Sequence, residues 1–479
     1  MKVSILSLAI ATFAVVSAAP TKRQAASNKY VVGYYVPWGN VPVADLDFTK
    51  VTHINYGFGI LTTASADPTT IGFDRTIDGV PAKQLVQRGN AEGVKILISI
   101  GGWAGGQTFS TIAADAALRA KFINNALLFV RKNTLPANVD PNGYGMDGVD
   151  LDWEYPGRQG AVCNVVSPND SANYLLLLKE LRTALNTEFP NSHKLLTAAV
   201  RIQPFDGPNG APLASVADFV QYFDFIMIMA YDLMGGWSAT TGPNAPLVAH
   251  PHGDSVSYTS GMNAWLSAGW PKNKLIMGTP FYGRSTTATV DMDNSWPRSI
   301  IAPKTKVVPK GGPSDTNVPN AVCNEGAVYS GIWSYKEIRQ NILTANATGP
   351  APGWTRHWDD ITKTPYLFRQ SDKTFISYDD AASLAAKVQL AKTEGLLGVM
   401  YWDMTNDYNN ELLTVLNQIH SGPVSKCDGV ASWNPTTVYA AKDTKVVHAG
   451  RLFTNKWWTQ GETPSTANSW GVWTDKGAC

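Results

Sequence analysis

The sequence predicts an α/β protein: a (β/α)8 barrel with a small α+β insertion between strands 7 and 8, followed by a small β-rich module. Eight short apolar runs recur over about 390 residues, and helical patterns separate several of them, which is typical of a barrel of this kind. A tryptophan-rich segment near the C-terminus predicts the additional module. The length of 479 residues exceeds one ordinary domain and agrees with this division.

The predicted barrel strands are short runs rich in apolar residues. They cover Tyr30–Val36, Val51–Ile60, Val94–Ile100, Met146–Trp153, Leu195–Val200, Phe225–Ala230, Leu275–Thr279 and Leu396–Trp402. Leucines at helical spacing predict a helix over Tyr174–Phe189, with Asp170 or Ser171 as its N-cap.

The interval between the last two strands is too long for a structureless loop. We expect a small α+β subdomain there, at about residues 284–377, within a barrel domain that spans residues 24–422. Its predicted elements are strands at Thr286–Val290, Ala327–Tyr329 and Pro365–Arg369 and a helix at Trp333–Leu343. The chain then returns through a helix predicted from Asp379 or Asp380 to Thr393, which Gly395 ends.

Composition excludes several classes of partner. The net charge is +1, only 16% of residues are charged, and no long basic or acidic run occurs. Nucleic acids and polyanions are therefore not expected to bind. No apolar run of 18 residues follows the first segment of the chain, so no membrane span is predicted. Nothing in the sequence specifies an oligomer, and we expect a monomer.

The first residues have the features of a secretory leader. Residues 1–19 combine a basic start, an apolar middle and small residues for cleavage. A dibasic pair predicts that residues 20–23 form a short pro-segment, which would leave Gln24 as the first residue. In a secreted protein, Asn169 and Asn346 begin sequences that accept N-glycans.

Four cysteines also fit an oxidising compartment. Cys427 and Cys479 bracket the C-terminal segment and are expected to pair, which would leave Cys163 with Cys323. Four cysteines allow three connectivities, so the spacing alone does not decide between them.

An alternating row of acids lies within the stretch from Asp147 to Pro156. Asp150, Asp152 and Glu154 fall on one face of a strand, and apolar residues occupy the other face. Carboxyl groups buried in such a row must be paired, hydrogen-bonded or protonated, and a raised pKa suits a general acid. The row lacks the twelve-residue loop of a common Ca²⁺ site. From the residues alone, a Ca²⁺ site, a solvated edge strand and a catalytic strand all stay open.

The spelling of this stretch, D-G-x-D-x-D-x-E from Asp147 to Glu154, resembles the catalytic signature of glycoside hydrolase family 18, the chitinases. Further family motifs follow other predicted strands. They are Ser99-Ile-Gly-Gly102, Met229-Ala-Tyr231-Asp232, Phe281-Tyr-Gly-Arg284 and Val399-Met-Tyr-Trp402. All lie at the carboxyl ends of strands, where barrel enzymes place their chemistry.

The resemblance implies a mechanism in which the substrate supplies the nucleophile. Glu154 would be the acid and base, Asp152 would orient the acetamido group, Asp150 would share a proton or hydrogen bond with Asp152, and Tyr231 would donate to the acetamido oxygen. Asp147 would be structural. No metal or organic cofactor is implied.

The resemblance also implies a set of substrate-binding residues around the acids. They are Tyr35, Phe58, Ser99, Gly101, Gly102, Trp103, Tyr155, Met229, Asp232, Arg284 and Trp402. Trp402 would form the floor under the sugar, and Ser99 would hydrogen-bond within the acid row. Together with Trp38 and Trp237, the tryptophans suggest a deep aromatic cleft, which favours processive action as a hypothesis.

A short linker, residues 423–426, precedes the C-terminal segment 427–479, which is too small for a substantial core of its own. Its tryptophans and its Trp-Trp-Thr-Gln-Gly string resemble chitin-binding modules of families 5 and 12. The resemblance implies that Trp457 and Trp458 form a stacking platform, with Tyr439 as a third member.

The sequence therefore predicts a secreted chitinase whose partners are chitin and its oligosaccharides. Two alternatives stay open. An endo-β-N-acetylglucosaminidase acting on N-glycans would share the acid motif, although the chitin-type module argues against it. A non-catalytic chitin-binding lectin would be expected to lack the acid, whereas Glu154 is present. Neither endo nor exo action is specified.

Overall fold

The computed structural model describes residues 28–73, 79–132, 143–294, 299–317, 323, 328–421, 427, 430–467 and 470–479. The predicted leader (1–19), pro-segment (20–23) and linker (423–426) lie outside these residues, and those three predictions stay untested. No helix in the described part of the chain is long and apolar enough to cross a membrane.

Eight parallel strands form a closed barrel, as the sequence predicts. They are β1 (Tyr30–Tyr35), β2 (His53–Gly59), β3 (Lys95–Gly101), β4 (Gly148–Asp152), β5 (Leu195–Val200), β6 (Phe225–Ile228), β7 (Leu275–Pro280) and β13 (Gly398–Trp402). Neighbours follow chain order, and β1 closes the barrel by pairing with both β2 and β13. Each predicted strand matches an observed one to within two residues at either end.

Helices cover the outside of the barrel and lie in its connections. They are α1 (Gly79–Glu92), α2 (Phe109–Ala114), α3 (Ala116–Val130), α4 (Asp170–Glu188), α5 (Ala217–Val220), α6 (Tyr258–Ser267), α7 (Tyr335–Asn341), α8 (Ala381–Thr393) and α9 (Glu411–Leu416). The cap predicted for α8 is confirmed, because the Asp380 carboxylate accepts from two backbone N–H groups of the first turn. Asp170 is instead the first residue of α4, and its buried carboxylate binds the preceding loop.

Two apolar layers position the site. A large cluster fills the space between the sheet and the helices, and a smaller one fills the barrel interior with side chains such as Tyr34, Met227 and Met400. The acids of β4 point into this interior, so they are surrounded by protein on every side except at the carboxyl end of the barrel.

The insertion is a five-stranded antiparallel sheet with one helix, α7. Its strands are β8 (Tyr282–Thr287), β9 (Ile332–Ser334), β10 (Trp354–Asp359), β11 (Thr364–Arg369) and β12 (Thr374–Ser377), in the order β10-β11-β12-β8-β9. The predicted strand at Ala327–Tyr329 is wrong at its two described residues, which are not in a strand. The sequence also missed β10, because its half-exposed residues include charged side chains and do not alternate as an apolar strand does.

The C-terminal segment forms a three-stranded antiparallel sheet of β14 (Lys445–His448), β15 (Arg451–Asn455) and β16 (Trp473–Ala478). The disulfide Cys427–Cys479 joins its two ends, and Cys163–Cys323 joins the barrel to the insertion. Both predicted pairings are therefore confirmed.

Candidate active site

The acid row lies at the carboxyl end of β4. Asp150, Asp152 and Glu154 are 0%, 3% and 8% exposed, so all three carboxyl groups are buried. Burial disfavours the charged form of a carboxylate, and closely spaced carboxylates disfavour one another's charge. The row therefore holds protons at a pH where exposed carboxyl groups have lost them.

Asp150 sits at the bottom of the row inside a group of three hydroxyls. Its carboxylate accepts hydrogen bonds from Tyr34 (2.7 Å), Ser99 (2.7 Å) and Thr197 (2.6 Å). Burial raises the pKa of Asp150, while the three hydrogen bonds act in the opposite direction. Because three donors already occupy its oxygens, Asp150 is held firmly and does not turn toward the cleft.

Asp152 is in a different state. Burial raises its pKa well above the usual range, and the negative charges of Glu154 and Asp150 raise it further. Its Oδ1 atom has no hydrogen-bond partner among the described residues. A buried polar atom without a partner is costly, so this oxygen is suited to meet a group of the substrate.

Glu154 is the acid nearest to the mouth of the barrel. Burial raises its pKa to about 7, the charge of Asp232 raises it as well, and the Tyr155 hydroxyl acts in the opposite direction by interacting with the carboxylate. A carboxyl group with this pKa can give and take a proton near neutral pH.

Two glycines let β3 approach the acid strand closely. A Cβ atom on Gly101 would lie 2.2 Å from the carbonyl oxygen of Asp152, and both Gly101 and Gly102 have positive φ. The Gly102 N–H donates to that same carbonyl oxygen at 2.9 Å. Only glycine permits this contact, which fixes the backbone between Asp152 and Glu154.

A second group of polar residues follows β6 and β7 and faces the acids. The Asp232 carboxylate accepts from Tyr282 (2.7 Å) and from two nitrogens of Arg284 (2.6 Å each). Tyr231 is largely buried beside this pair, and its hydroxyl has one hydrogen-bond contact among the described residues, a 4.0 Å approach to the sulfur of Met400. The Tyr231 hydroxyl is therefore available to donate to a ligand.

Aromatic rings lie at or just beyond the carboxyl ends of several barrel strands. Trp402 stacks on Phe58 with ring centres 5.6 Å apart, and the Trp38 ring centre lies 6.2 Å from that of Phe58. Trp38, Trp103 and Trp237 are 43%, 50% and 60% exposed, although tryptophan is usually mostly buried. Flat apolar rings beside carboxylates match the two kinds of surface on a sugar ring.

Comparison with known proteins identifies the family. The model of glycosyl hydrolases family 18 matches residues 30–407. The chain belongs to glycoside hydrolase family 18. It is 33% identical to a chitinase-like effector of Moniliophthora roreri over 79% of this chain and 90% of the relative, and 32% identical to chitinase A1 of Niallia circulans over 85% of this chain and 60% of that relative. A crystal structure of a chitinase from Rhizomucor miehei superposes with a TM-score of 0.72 at 32% identity, over 82% of this chain and all of that one.

Within this family 18 glycoside hydrolase, the structure brings most of the predicted residues together. Ser99, Gly101 and Gly102 contact the acid strand, whereas Asp147 binds Lys95 and the Ile96 N–H at the opposite end of β4. Met229 packs at the edge of the interior cluster, next to Tyr231. Asp147 thus has structural contacts, as expected.

The prediction that Tyr35 binds substrate is wrong. It is 2% exposed, lies in the outer cluster, and its hydroxyl donates to the carbonyl of Val41, so it does not reach the acids. Tyr34 takes that place on the inner face of β1. Thr197 was also missed, although its position supplies a signal: a polar residue interrupts an apolar strand and pairs in register with Asp150.

The family 18 hydrolase shows no group of His, Cys, Asp or Glu residues with metal-binding geometry in its described part. The predicted hydrogen bond between Asp150 and Asp152 does not occur among the described contacts, because Tyr34, Ser99 and Thr197 hold Asp150. The coupling between these two acids is therefore one of charge.

Proposed function

We propose that this protein is a secreted chitinase that hydrolyses β-1,4 links between N-acetylglucosamine units by a substrate-assisted, retaining mechanism. The observation that carries the proposal is the placement of Asp152 and Glu154 two residues apart, Asp152 as the last residue of β4 and Glu154 just beyond it, with both side chains buried. Carboxyl groups in that arrangement do not flank a glycosidic bond from opposite sides. The acetamido group of the sugar then has to supply the nucleophile.

In the first step, Glu154 gives its proton to the oxygen that leaves. The acetamido carbonyl oxygen attacks the anomeric carbon from the other face and forms a cyclic oxazolinium ion. In the second step, Glu154 takes a proton from a water molecule, which attacks the same carbon and opens the ring. Two displacements restore the β configuration, and the proton returns to Glu154.

Asp152 would accept the acetamido N–H at its unpaired oxygen and stabilise the positive charge of the oxazolinium ion. Tyr231 would donate to the acetamido oxygen and hold it in line with the anomeric carbon. The negative charge of Asp150 would raise the pKa of Asp152 and favour its protonated form before the positive ion develops. These roles need side chains that are fixed before the substrate arrives, which is how burial leaves them.

The aromatic surface would bind the sugar units on either side of the scissile bond. Phe58, Trp103, Tyr155, Arg284 and Trp402 are proposed as substrate contacts. Tyr35 is withdrawn from that set, and Tyr34 is proposed to support the acid row through its hydrogen bond to Asp150. Two disulfides favour an oxidising compartment, which supports secretion.

The product anomer tests the proposal. Short N-acetylglucosamine oligomers incubated with the protein are expected to release products that are initially β, resolved by NMR or by chromatography before mutarotation. Initially α products would mean inversion and would overturn the mechanism even if chitin is the substrate.

A chitin-binding protein without hydrolysis is the second candidate, because the relatives from Moniliophthora roreri and Moniliophthora perniciosa are chitinase-like effectors. The buried acid row with Glu154 in place favours hydrolysis. Absence of any cleavage of N-acetylglucosamine oligomers, with binding retained, would favour this candidate. Cleavage of N-glycans between their two core N-acetylglucosamine units in preference to chitin would instead favour an endo-β-N-acetylglucosaminidase.

We propose further that residues 427–479 bind insoluble chitin. Trp457 and Trp458 follow the end of β15 and are 54% and 56% exposed, so both rings are open to solvent. Tyr439 is removed from the platform, because it is 7% exposed, packs against Trp473 and lies in the core of the module.

Replacing both Trp457 and Trp458 with alanine is expected to reduce adsorption to insoluble chitin at least tenfold, because each exposed ring contributes stacking area. Hydrolysis of soluble oligomers should be unchanged. Adsorption isotherms on chitin powder measure the effect, with Trp470→Ala as the comparison, since Trp470 is 90% exposed on the same module. Unchanged adsorption of the double variant would place the binding surface elsewhere.

A further inference from the structure

The backbone carbonyl of Glu154 lies beyond the last residue of β4, where the ladder to β5 has ended. Its hydrogen-bond donor is a side chain: Nδ2 of Asn164 lies 2.9 Å from this oxygen. Asn164 is 7% exposed, so the contact is shielded from water. We propose that Asn164 is a positioning residue that sets the location of the acid Glu154, an inference that rests on the proposed function.

Residues 155–165, named here the acid loop, run from Glu154 toward α4 and fold back onto its carbonyl. A Cβ atom on Gly160 would lie 1.9 Å from that oxygen, so only glycine fits there. Within the acid loop, Gly160 thus packs against the Glu154 carbonyl, and Asn164 donates its amide to the same oxygen. A movement of Asn164 would therefore displace the peptide unit that carries the acid.

The same amide connects two loops of the site. Nδ2 of Asn164 also lies 3.4 Å from the carbonyl oxygen of Trp103, which follows β3. The next residue, Val165, donates its backbone N–H to the carbonyl of Gln107 at 3.0 Å. Asn164 therefore stands between the acid and a loop that bears one of the exposed tryptophans of the cleft.

Other contacts hold the acid loop in place. Arg158 pairs with the buried Asp206 at 2.6 Å, and the Gly157 N–H donates to Asp170 at 3.2 Å. Cys163, directly before Asn164, is bonded to Cys323 of the insertion, 160 residues further along the chain. Since the loop is anchored on both sides of Asn164, the amide has a fixed base from which to hold Glu154.

Two variants test the proposal. Asn164→Ala removes the donor, and Asn164→Asp keeps the size of the side chain while losing the amide donor. With a tetramer of N-acetylglucosamine, kcat is expected to fall about 10- to 100-fold, since a misplaced catalytic group costs rate in this range, while KM changes little. Asn125→Ala is the matched control, because Asn125 donates a similar bond, 2.7 Å to the carbonyl of Thr69, away from the acids.

A substrate with a different leaving group distinguishes a positioning role of Asn164 from a purely structural one. A 2,4-dinitrophenyl glycoside loses its phenolate without a proton, so release in the first turnover does not need a well-placed Glu154. The loss caused by Asn164→Ala or Asn164→Asp should therefore shrink on this substrate. A loss of equal size on both substrates, or a kcat equal to that of Asn125→Ala, would overturn the proposal. If the wild-type protein cleaves neither substrate, the proposed function fails instead.

Discussion

Glu154→Gln is expected to hydrolyse N-acetylglucosamine oligomers about 10³-fold more slowly than the wild type, because general acid–base catalysis contributes on that order. The glutamine has almost the same shape, and the buried Glu154 carboxyl group has no ion pair among the described residues, so the fold should be unchanged. The proposed mechanism uses the Glu154 carboxyl group twice. It first gives a proton to the leaving oxygen and then takes a proton from water. With a dinitrophenyl glycoside, whose phenolate leaves without a proton, the variant should regain much of the rate of the first step but not of the second.

Steady-state rates on the tetramer and thermal unfolding curves measure this effect. Glu180→Gln is the control, since Glu180 is a surface residue paired with Arg119 and distant from the acid row. Turnover of Glu154→Gln within tenfold of the wild type would remove Glu154 from the role of acid.

The pH profile gives the same prediction an independent check. Burial raises the pKa of Glu154 to about 7, and the acid must be protonated for the first step. Wild-type kcat/KM should therefore fall as the pH rises through about 7. Residual activity of Glu154→Gln should lack that limb, because glutamine does not titrate. If kcat/KM of the variant still fell at the same pH, another titrating group would be responsible for that fall.

Asp152→Asn is expected to lower kcat about 10²-fold, the size found for losing one electrostatic contact to a transition state. Asparagine retains an acceptor oxygen but cannot become negatively charged as the oxazolinium ion forms. Because Asp152 acts on the ion and does not protonate the leaving group, the loss should persist on the dinitrophenyl glycoside. This persistence distinguishes Asp152→Asn from Glu154→Gln.

Asp147→Asn is the matched control, since Asp147 lies on the same segment but binds Lys95 at the far end of β4. Equal rescue of Asp152→Asn and Glu154→Gln by the dinitrophenyl group would show that the two carboxyl groups act as one acid unit. The separate role for Asp152 would then be abandoned.

The barrel could be predicted because its strands are apolar runs of the correct length, and β4 could be oriented because its acids mark the inner face. The sequence of β1 contains no charged residue that would identify its inner face. Apolar or aromatic side chains lie on both of its faces, so the pattern did not distinguish Tyr34, which points inward, from Tyr35, which points outward.

Other errors arose where long-range contacts decide the outcome. Tyr439 is aromatic and lies in a segment with few apolar residues, yet it packs on Trp473 and completes the small core. Asn164 had no signal at all, because an asparagine in a loop is ordinary and its partner is a backbone oxygen ten residues earlier. Such contacts depend on how the loop folds back, which no local pattern encodes.

The pairing of β1 with β13 has a consequence for synthesis. Tyr30 and Gly398 are neighbours in the same ladder, so the barrel closes between the beginning and the end of its domain. A nascent chain that has left the ribosome as far as β7 carries every acid of the row but has open sheet edges and no Trp402. Activity should consequently arise only after β13 has emerged and paired with β1.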